Sequence, residues 1–314
     1  MRIATFNLQN LRLRRAGGAP RLDGARDGDL PEDLRPGAAA LDPADRRLTA
    51  AVIARADADV VALQEVFDQP SLDHFHDAFL APTGVRPWPH RVCLPGNDGR
   101  GLDVAVISRS RPDRVESHAA ETPESLGLAP IPETGPADRV FRRDCLEVAI
   151  GALTLFVCHL KAPYPDPEAA WRVRRLEAEA VRRLVERRFA RPAEALWLVL
   201  GDLNEPRRPP RDRPRAVAPL LEDFAVDLLE RLPAEKRWSY RPPGGGHARP
   251  DALLASPALA RRWPEATPRV LREGMSLEAR HGGPHLEGVG RHRPHASDHA
   301  ALVIDLPGLR RAAR

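Results

Sequence analysis

Short apolar runs, nearly continuous in Val, Leu, Ile and Ala, recur along the whole chain and constrain its fold more than any other feature. They read RIATFNL, DVVALQEV, LDVAVISR, CLEVAI, ALTLFVCHL, ALWLVLGDL, DALLAS and ALVIDL. Runs without polar alternation suit strands covered on both faces, because a half-exposed strand alternates with period two. Two stretches of helical character have clear starts. Asp42-Pro43 opens PADRRLTAAVIARA and Asp166-Pro167 opens PEAAWRVRRLEAEAVRRLVERRFA, each pairing an N-cap side chain with a first-turn proline. Strands alternating with such helices predict a layered α/β domain. No segment has the composition of a linker, so residues 1–314 are expected to form a single domain. Within it, 12–41 reads as a long loop insertion, 204–219 and 241–250 as further loops, and 308–314 as a short basic tail.

Composition contributes by exclusion. No run reaches the roughly 18 apolar residues of a membrane span. The start, MRIATFNLQNL, lacks the apolar core and cleavage site of a signal peptide, so a cytoplasmic protein is expected. Cys93, Cys145 and Cys158 have no CxxC spacing and suggest neither a disulfide framework nor a zinc site, which fits a reducing interior. The net charge of +4 permits an anionic partner without requiring one. Nearly every basic residue is Arg, and Lys161 and Lys236 are the only lysines. In CHLKA, Lys161 stands two positions after His159, on the same side of an extended chain, where a Lys in so Arg-rich a chain suggests that a compact point charge is wanted. A solvated loop lysine is the plainer reading.

The apolar runs lead into polar groups that resist burial. RIATF runs into Asn7, VVAL into Gln64-Glu65, DVAVIS into Arg109, ALTLFVC into His159, and LWLVLG into Asp202 and Asn204. Towards the C-terminus the order inverts: Asp251 opens DALLAS, and Ser297-Asp298-His299 opens ALVIDL. In a mixed sheet, the ends of some strands and the starts of their antiparallel neighbours share one rim, where layered α/β sheets bind ligands. Singly, each residue has an ordinary reading. Asp202-Leu203-Asn204 is a good Asx turn, Glu65 a helix-start carboxylate, Arg109 a surface cation, His159 a hydrogen-bonded core histidine, and SDH a cap for the strand. Together they predict one site. Arg142, Arg143 and Asp144, just before CLEV, add candidate anion contacts and an ion-pair orienter. His281, His285, His292 and His295 mimic a metal cluster, yet irregular spacing among Gly and Pro favours a solvated loop or adventitious binding.

Asn7 in TFNLQNL, Glu65 in LQEV, Arg109 in VISR, His159 in CHLK, Asp202 and Asn204 in GDLN, Asp251 in RPDALL and Asp298-His299 in ASDH resemble the endonuclease/exonuclease/phosphatase superfamily. The matches keep the family's order from residue 3 to about 304. The resemblance implies a four-layer α/β/β/α sandwich with two mixed sheets, and metal-dependent hydrolysis of phosphate esters by in-line attack of an activated water. Glu65 would be the principal metal carboxylate with Asn7 and Asp298 near the same ion, Mg²⁺ being expected and Mn²⁺ the alternative. Asp251 would orient His299 as the base, and Asp202 would position or deprotonate the water. Asn204 would hold a phosphate oxygen, with Arg109, Arg143 and Lys161 as further phosphate contacts. His159 would stabilise the phosphorane or protonate the leaving oxygen, with Asp103 as its carboxylate partner. These roles are chemically coherent: Mg²⁺ prefers hard oxygen ligands, a phosphodiester needs its charge neutralised before hydroxide attack, and histidine moves protons near neutral pH.

The motif flanks narrow the substrate only in part. RPDALL is not the aromatic-Cys-Asp-Arg element of inositol-polyphosphate phosphatases, and Pro250 and Ala252 replace the flanks usual in abasic-site endonucleases. At 5%, aromatic residues offer few base-stacking platforms. No signal or membrane-inserting hairpin of a secreted sphingomyelinase is evident. A monomeric phosphodiesterase or nuclease acting on DNA or RNA is therefore expected, with basic flanks 142–143 and 207–215 near the backbone. The run 207–215 reads better still as a solvated loop. A phosphomonoesterase or sphingomyelinase-like lipid phosphodiesterase is the alternative. A catalytically silent scaffold comes last, because Glu65, His159 and His299 are all retained.

Overall fold

A computed structural model of the chain describes residues 1–15, 18–28, 30–206 and 213–309. Numbered along the chain, the strands are β1 (Arg2–Leu11), β2 (Leu13–Arg14), β3 (Arg21–Leu22), β4 (Val60–Val66), β5 (His90–Cys93), β6 (Asp103–Ser108) and β7 (Arg114–Ser117). They continue as β8 (Cys145–Ile150), β9 (Leu153–His159), β10 (Trp197–Asp202), β11 (Val226–Asp227), β12 (Asp251–Ala255), β13 (Arg269–Leu271) and β14 (Ala301–Asp305). One six-stranded sheet has the order β13-β14-β1-β4-β6-β5 and the other β11-β12-β10-β9-β8-β7. Both are mixed. β1 pairs parallel with β4 and antiparallel with β14, while β10 pairs parallel with β9 and antiparallel with β12.

Alternation along each strand explains why the sequence runs are continuous. Ile3, Val60, Ala62, Val104 and Val106 face the layer between the sheets, where they meet Val148, Leu155, Val157, Leu198 and Leu200. Their neighbours Ala4, Phe6, Val61, Leu63 and Ile107 face outward, beneath Leu48, Val52 and Ile53 of the helix Asp42–Ala56. On the far side Phe156, Trp197 and Val199 pack under Leu176, Val181 and Leu184 of the helix Pro167–Arg188. Both faces of the central strands are thus buried, and the order helix, sheet, sheet, helix is the expected four-layer sandwich. Each such Val or Leu contributes about 1.5–3 kcal/mol by burial.

The structure corrects two local expectations. Asp42 is the first helical residue rather than a cap; Leu41 holds the N-cap position, and the Asp42 carboxylate accepts from Arg293 Nη2 at 2.9 Å. Asp166 does cap its helix, Oδ1 accepting the amides of Glu168 and Ala169 at 2.9 and 3.1 Å. The described residues of the expected 12–41 loop insertion have local structure. They carry the β2–β3 ribbon, the helix Pro31–Leu34 and a 3-10 turn, Ala38–Leu41. Buried Arg46 clamps this segment to the end of β1, donating to the carbonyls of Leu8, Gln9 and Asp23 at 2.6, 2.8 and 2.6 Å. The core of the arginine-rich run, 207–212, and the end of the basic tail, 310–314, lie outside the described residues. Among the described residues no helix is long and apolar enough to cross a membrane.

Candidate active site

Strand direction brings the polar residues together. The parallel pairs β1–β4 and β9–β10 end on one rim, with Asn7 opposite Gln64 and His159 opposite Asp202. The antiparallel strand β12 starts there, Asp251 opposite Asp202, and β14 starts beside β1 on the same rim. Asn7 Nδ2 bridges the two sheets, donating to Asp202 Oδ2 at 3.1 Å and Glu65 Oε1 at 3.3 Å. A cavity of about 630 Å³ opens over this rim.

Backbone irregularity aims the side chains. Glu65 is an extra residue in β4, since Gln64 pairs with Val104 and Val66 with Asp103, and it takes φ +62°. β1 bulges likewise between Asn7 and Leu11, with Gln9 and Asn10 at φ +48° and +62°. Asn204 has φ +53°. These four are the majority of the seven non-glycine residues with positive φ among those described, a conformation that costs energy and concentrates at functional sites.

The acidic end holds Glu65, Asp298 and Asp27. Glu65 Oε2 accepts the Asn10 amide at 2.9 Å. Burial pushes the Asp298 carboxyl up to about 7, opposed by His299 and helped by repulsion from Glu65 and Asp27. Crowded, partly buried carboxylates of this kind fit a divalent cation, which would relieve that repulsion. The Asn7 amide oxygen is engaged by the Gln9 N–H at 3.0 Å, so in this arrangement Asn7 is a strut between Glu65 and Asp202. The compact group Asp202, Asp251 and His299 also has metal-like spacing. Its atoms are already engaged, because Asp251 Oδ2 is committed to Ser239 Oγ at 2.6 Å and His299 Nδ1 at 2.8 Å.

The two histidines flank Asp202. Its Oδ2 lies 3.7 Å from His159 Nε2 and 3.8 Å from His299 Nε2, and its Oδ1 accepts the Asn204 amide at 2.9 Å. The Asx turn therefore exists, and it is also the floor of the cavity. Asn204 Nδ2 donates to the Leu160 carbonyl at 3.0 Å, which locks the turn. Burial raises Asp202 to about 6 against the pull of His299. Burial opposes charge on His299, but Asp251 on Nδ1, with Asp298 and Asp202 nearby, raises it well above the usual range. Burial and the cations Arg143 and His299 hold His159 well below, as neutral imidazole.

Arg143 reaches the cavity as expected, its Nε 3.1 Å from Asp98 and its Nη1 donating to the Leu160 carbonyl at 3.1 Å. Arg109 does not. β6 runs antiparallel to β4, so Ser108 pairs with Val60 and Arg109 falls on the opposite rim, stacked on Trp88 at 4.5 Å and bonded to Asp57 at 2.5 Å. Lys161 also turns away: its ammonium donates to the carbonyls of Ala162, at 3.2 Å, and Tyr164. Arg142 reaches Thr134 and the Glu133 carbonyl, both at 2.7 Å. The expected Asp103–His159 bond is not made, since Asp103 Oδ1 and His159 Nδ1 are both buried without a partner. His292 and His295 reach Asp33 at 3.2 Å and Gln9 at 2.9 Å, separately from the His281–His285 pair, so the four form no cluster.

Several site residues escaped sequence reasoning. Gln9 Oε1 accepts the Asp298 amide at 3.0 Å, the Tyr240 ring packs at a tilt against His299 with centroids 4.6 Å apart, and Ser239 supports Asp251. A signal existed for the first, since the polar pair Gln9-Asn10 interrupts an apolar strand. Ser239 and Tyr240 lie in a loop segment, WSYRPP, without a pattern of its own.

A sequence model described as the Endonuclease/Exonuclease/phosphatase family matches residues 4–299. No curated protein matches the chain. Similar solved structures include an AP endonuclease from Archaeoglobus fulgidus, 17% identical with TM-score 0.60, covering 98% of this chain and 99% of that one. A 3' phosphatase from Neisseria bound to a product DNA hairpin is 19% identical with TM-score 0.53, covering 97% and 98%. A mannosyl-6-phosphatase from Bacteroides thetaiotaomicron is 13% identical with TM-score 0.57, covering 97% and 98%. At these identities the likeness is one of fold.

Proposed function

This chain belongs to the endonuclease/exonuclease/phosphatase family, and from that premise we propose that it is a divalent-metal-dependent phosphodiesterase acting on nucleic acid. The observation that carries the reading is the position of Asp202 between two histidines of opposite electrostatic character, across one cavity from Glu65 and Asp298. Glu65 and Asp298 would hold the ion, Mg²⁺ by its taste for hard oxygen, with Asn7 fixing the Glu65 carboxylate. When bound, the ion supplies charge neutralisation at the phosphate and a more acidic water.

The residues themselves do the rest. Asp202, raised to about 6, is a base poised just below neutrality and is placed to take the proton of an attacking water. His299, cationic through Asp251, stands where it neutralises a phosphate oxygen as charge develops. This reverses the sequence expectation that His299 is the base and Asp202 its helper. Neutral His159 offers a hydrogen bond to the phosphorane rather than a ready proton for the leaving group. Arg143 and Asn204 line the same wall and suit the non-bridging oxygens.

An AP endonuclease and a DNA-bound 3' phosphatase among the similar structures support a nucleic-acid substrate, whereas the mannosyl-6-phosphatase favours the monoester alternative. We further propose that residues 1–314 act as one domain, since both sheets share one apolar layer, and as a monomer. Three buried, free cysteines support a reducing, cytoplasmic setting. The test compares bis-(p-nitrophenyl) phosphate with p-nitrophenyl phosphate in Mg²⁺, Mn²⁺ and EDTA, then plasmid DNA. EDTA-sensitive diester cleavage with DNA nicking is expected, lost in Glu65→Ala and His299→Ala with the fold intact. Turnover near wild type in both variants would sink the site assignment, and a monoester preference would move the protein to the phosphatase branch.

A further inference from the structure

A second groove, also of about 630 Å³, lies beyond the catalytic cavity between the loop 241–249 and the turn 277–280. Its lining carries Arg241, Arg280 and Arg291 against a single carboxylate, Glu278. That carboxylate is only loosely paired, 3.5 Å from Arg241, 3.6 Å from Arg291 and 3.7 Å from His292 Nδ1, each longer than a charge-assisted hydrogen bond. Arg280 is exposed and the Arg291 side chain is 89% exposed, so their charge faces solvent.

The groove is pre-shaped. His247 donates through Nε2 to the Ala279 carbonyl at 2.7 Å, tying its two walls together. Trp238 stacks on that imidazole at 3.7 Å, and Arg272 covers Trp238 at 4.2 Å. Gly244, Gly245 and Gly246 take φ +88°, +92° and +82°, so this wall is bare backbone at positions where a side chain would be strained.

It is linked to the catalytic site through Arg241. Tyr240, whose ring packs at a tilt against His299, precedes Arg241, whose amide donates to the Asp298 carbonyl at 3.3 Å. Arg241 further lines a narrow pocket that shares Gln9, Asp27 and Asp298 with the main cavity. A chain with its scissile phosphate beside His299 would therefore pass Tyr240 and meet these arginines next. Resting on the phosphodiesterase reading, we propose that the Arg241–Arg280–Arg291 groove binds successive phosphates of a polynucleotide on one side of the scissile bond, so that the natural substrate is a polymer rather than a small phosphate ester.

The experiment measures binding of a fluorescein-labelled single-stranded oligodeoxynucleotide by anisotropy, in EDTA so that no strand is cut, between about 50 and 200 mM salt. In parallel it follows kcat/KM for bis-(p-nitrophenyl) phosphate with Mg²⁺. Arg280→Glu/Arg291→Glu is expected to weaken oligonucleotide binding at least about tenfold and to flatten the log–log salt slope by about 1.4, two single-strand phosphate contacts' worth. Small-diester turnover should stay unchanged, and Arg183→Glu, a charge reversal on the distant helix Pro167–Arg188, should leave binding as in wild type. Wild-type affinity and slope in the double variant would overturn the proposal. So would equal weakening by Arg183→Glu, which would mean diffuse net charge, or a parallel loss of small-diester turnover. A wild-type protein that hydrolyses no diester would instead sink the catalytic reading, on which the binding assay does not depend.

Discussion

Asp202, His299 and Asp298 share one buried volume and hold one another away from their ordinary protonation. If Asp202 is the base and His299 the cation, the pH profile of kcat/KM has its acid limb near 6 and an alkaline limb set by His299. Asp251→Asn removes the charge that raises both groups, so both limbs should move to lower pH, the alkaline one further, with kcat down roughly 10²–10⁴-fold. An alkaline limb that stays in place would rule out the cationic role. Asp298, at about 7 when folded against 3.8 as its ordinary value, binds its proton more tightly in the native state. Its ionisation therefore costs stability increasingly as pH rises from about 4 to 7, and a bound divalent ion should relieve that cost. Mg²⁺ is expected to raise Tm at about pH 8, little at about pH 5, and not at all in Glu65→Gln. A shift of equal size at both pH values would argue against this site. The residue identities, Glu65, Asp202, Asp251 and His299, were readable in sequence. Their charge states were not, because those depend on burial and on partners tens to hundreds of residues away.

At the scale of elements, the strands deliver the site and their defects aim it. The eight apolar runs all became strands, whereas β5, β7, β11 and β13 left no such run. All four are sheet edges, short and part-exposed, so they need no continuous apolar stretch. The bulges at 8–10 and at Glu65 were equally invisible, since neither contains the glycine that commonly marks one. Gly201 shows how tightly the delivery is held. It has φ +127°, and a Cβ there would lie 2.1 Å from the Cys158 carbonyl oxygen, a backbone atom of the neighbouring strand. Gly201→Ala must spread β9 from β10 directly beneath His159 and Asp202. It should cost about 2 kcal/mol or more, lower Tm by several degrees, and remove most activity. A thermal melt matching wild type would show that the strands separate there at no cost.

On the scale of the whole molecule, the sandwich has two rims of different use. Asn7, Glu65, His159, Asp202, Asp251 and His299 lie on one, and Arg109, Asp57 and Trp88 hold the other. Arg109→Ala should therefore leave kcat/KM for a diester within twofold of wild type. It should cost about 1 kcal/mol through the lost stack on Trp88 and the ion pair with Asp57. A large fall in turnover with the fold intact would put Arg109 back into the chemistry. Its misplacement has a simple cause: the end of a strand marks the site rim only if the strand runs parallel to β4. β6 runs the other way, and it is Asp103, at its start, that lies on the catalytic side.

The apolar runs by themselves determined a layered α/β domain, since strands buried on both faces must be covered, and they set carboxylates and histidines where the runs stop; the four-layer sandwich was implied by the family resemblance of those motifs. Only the tertiary structure decided which rim each strand end reaches, which side chains turn away, as Lys161 and Arg109 do, and how closely Asp202 and His299 approach each other. The physical reason is one of range. Periodicity and burial are local properties of a strand, whereas strand direction, bulge-driven aim and the electrostatic balance of a buried site arise between residues that meet only when the sheets close over one another.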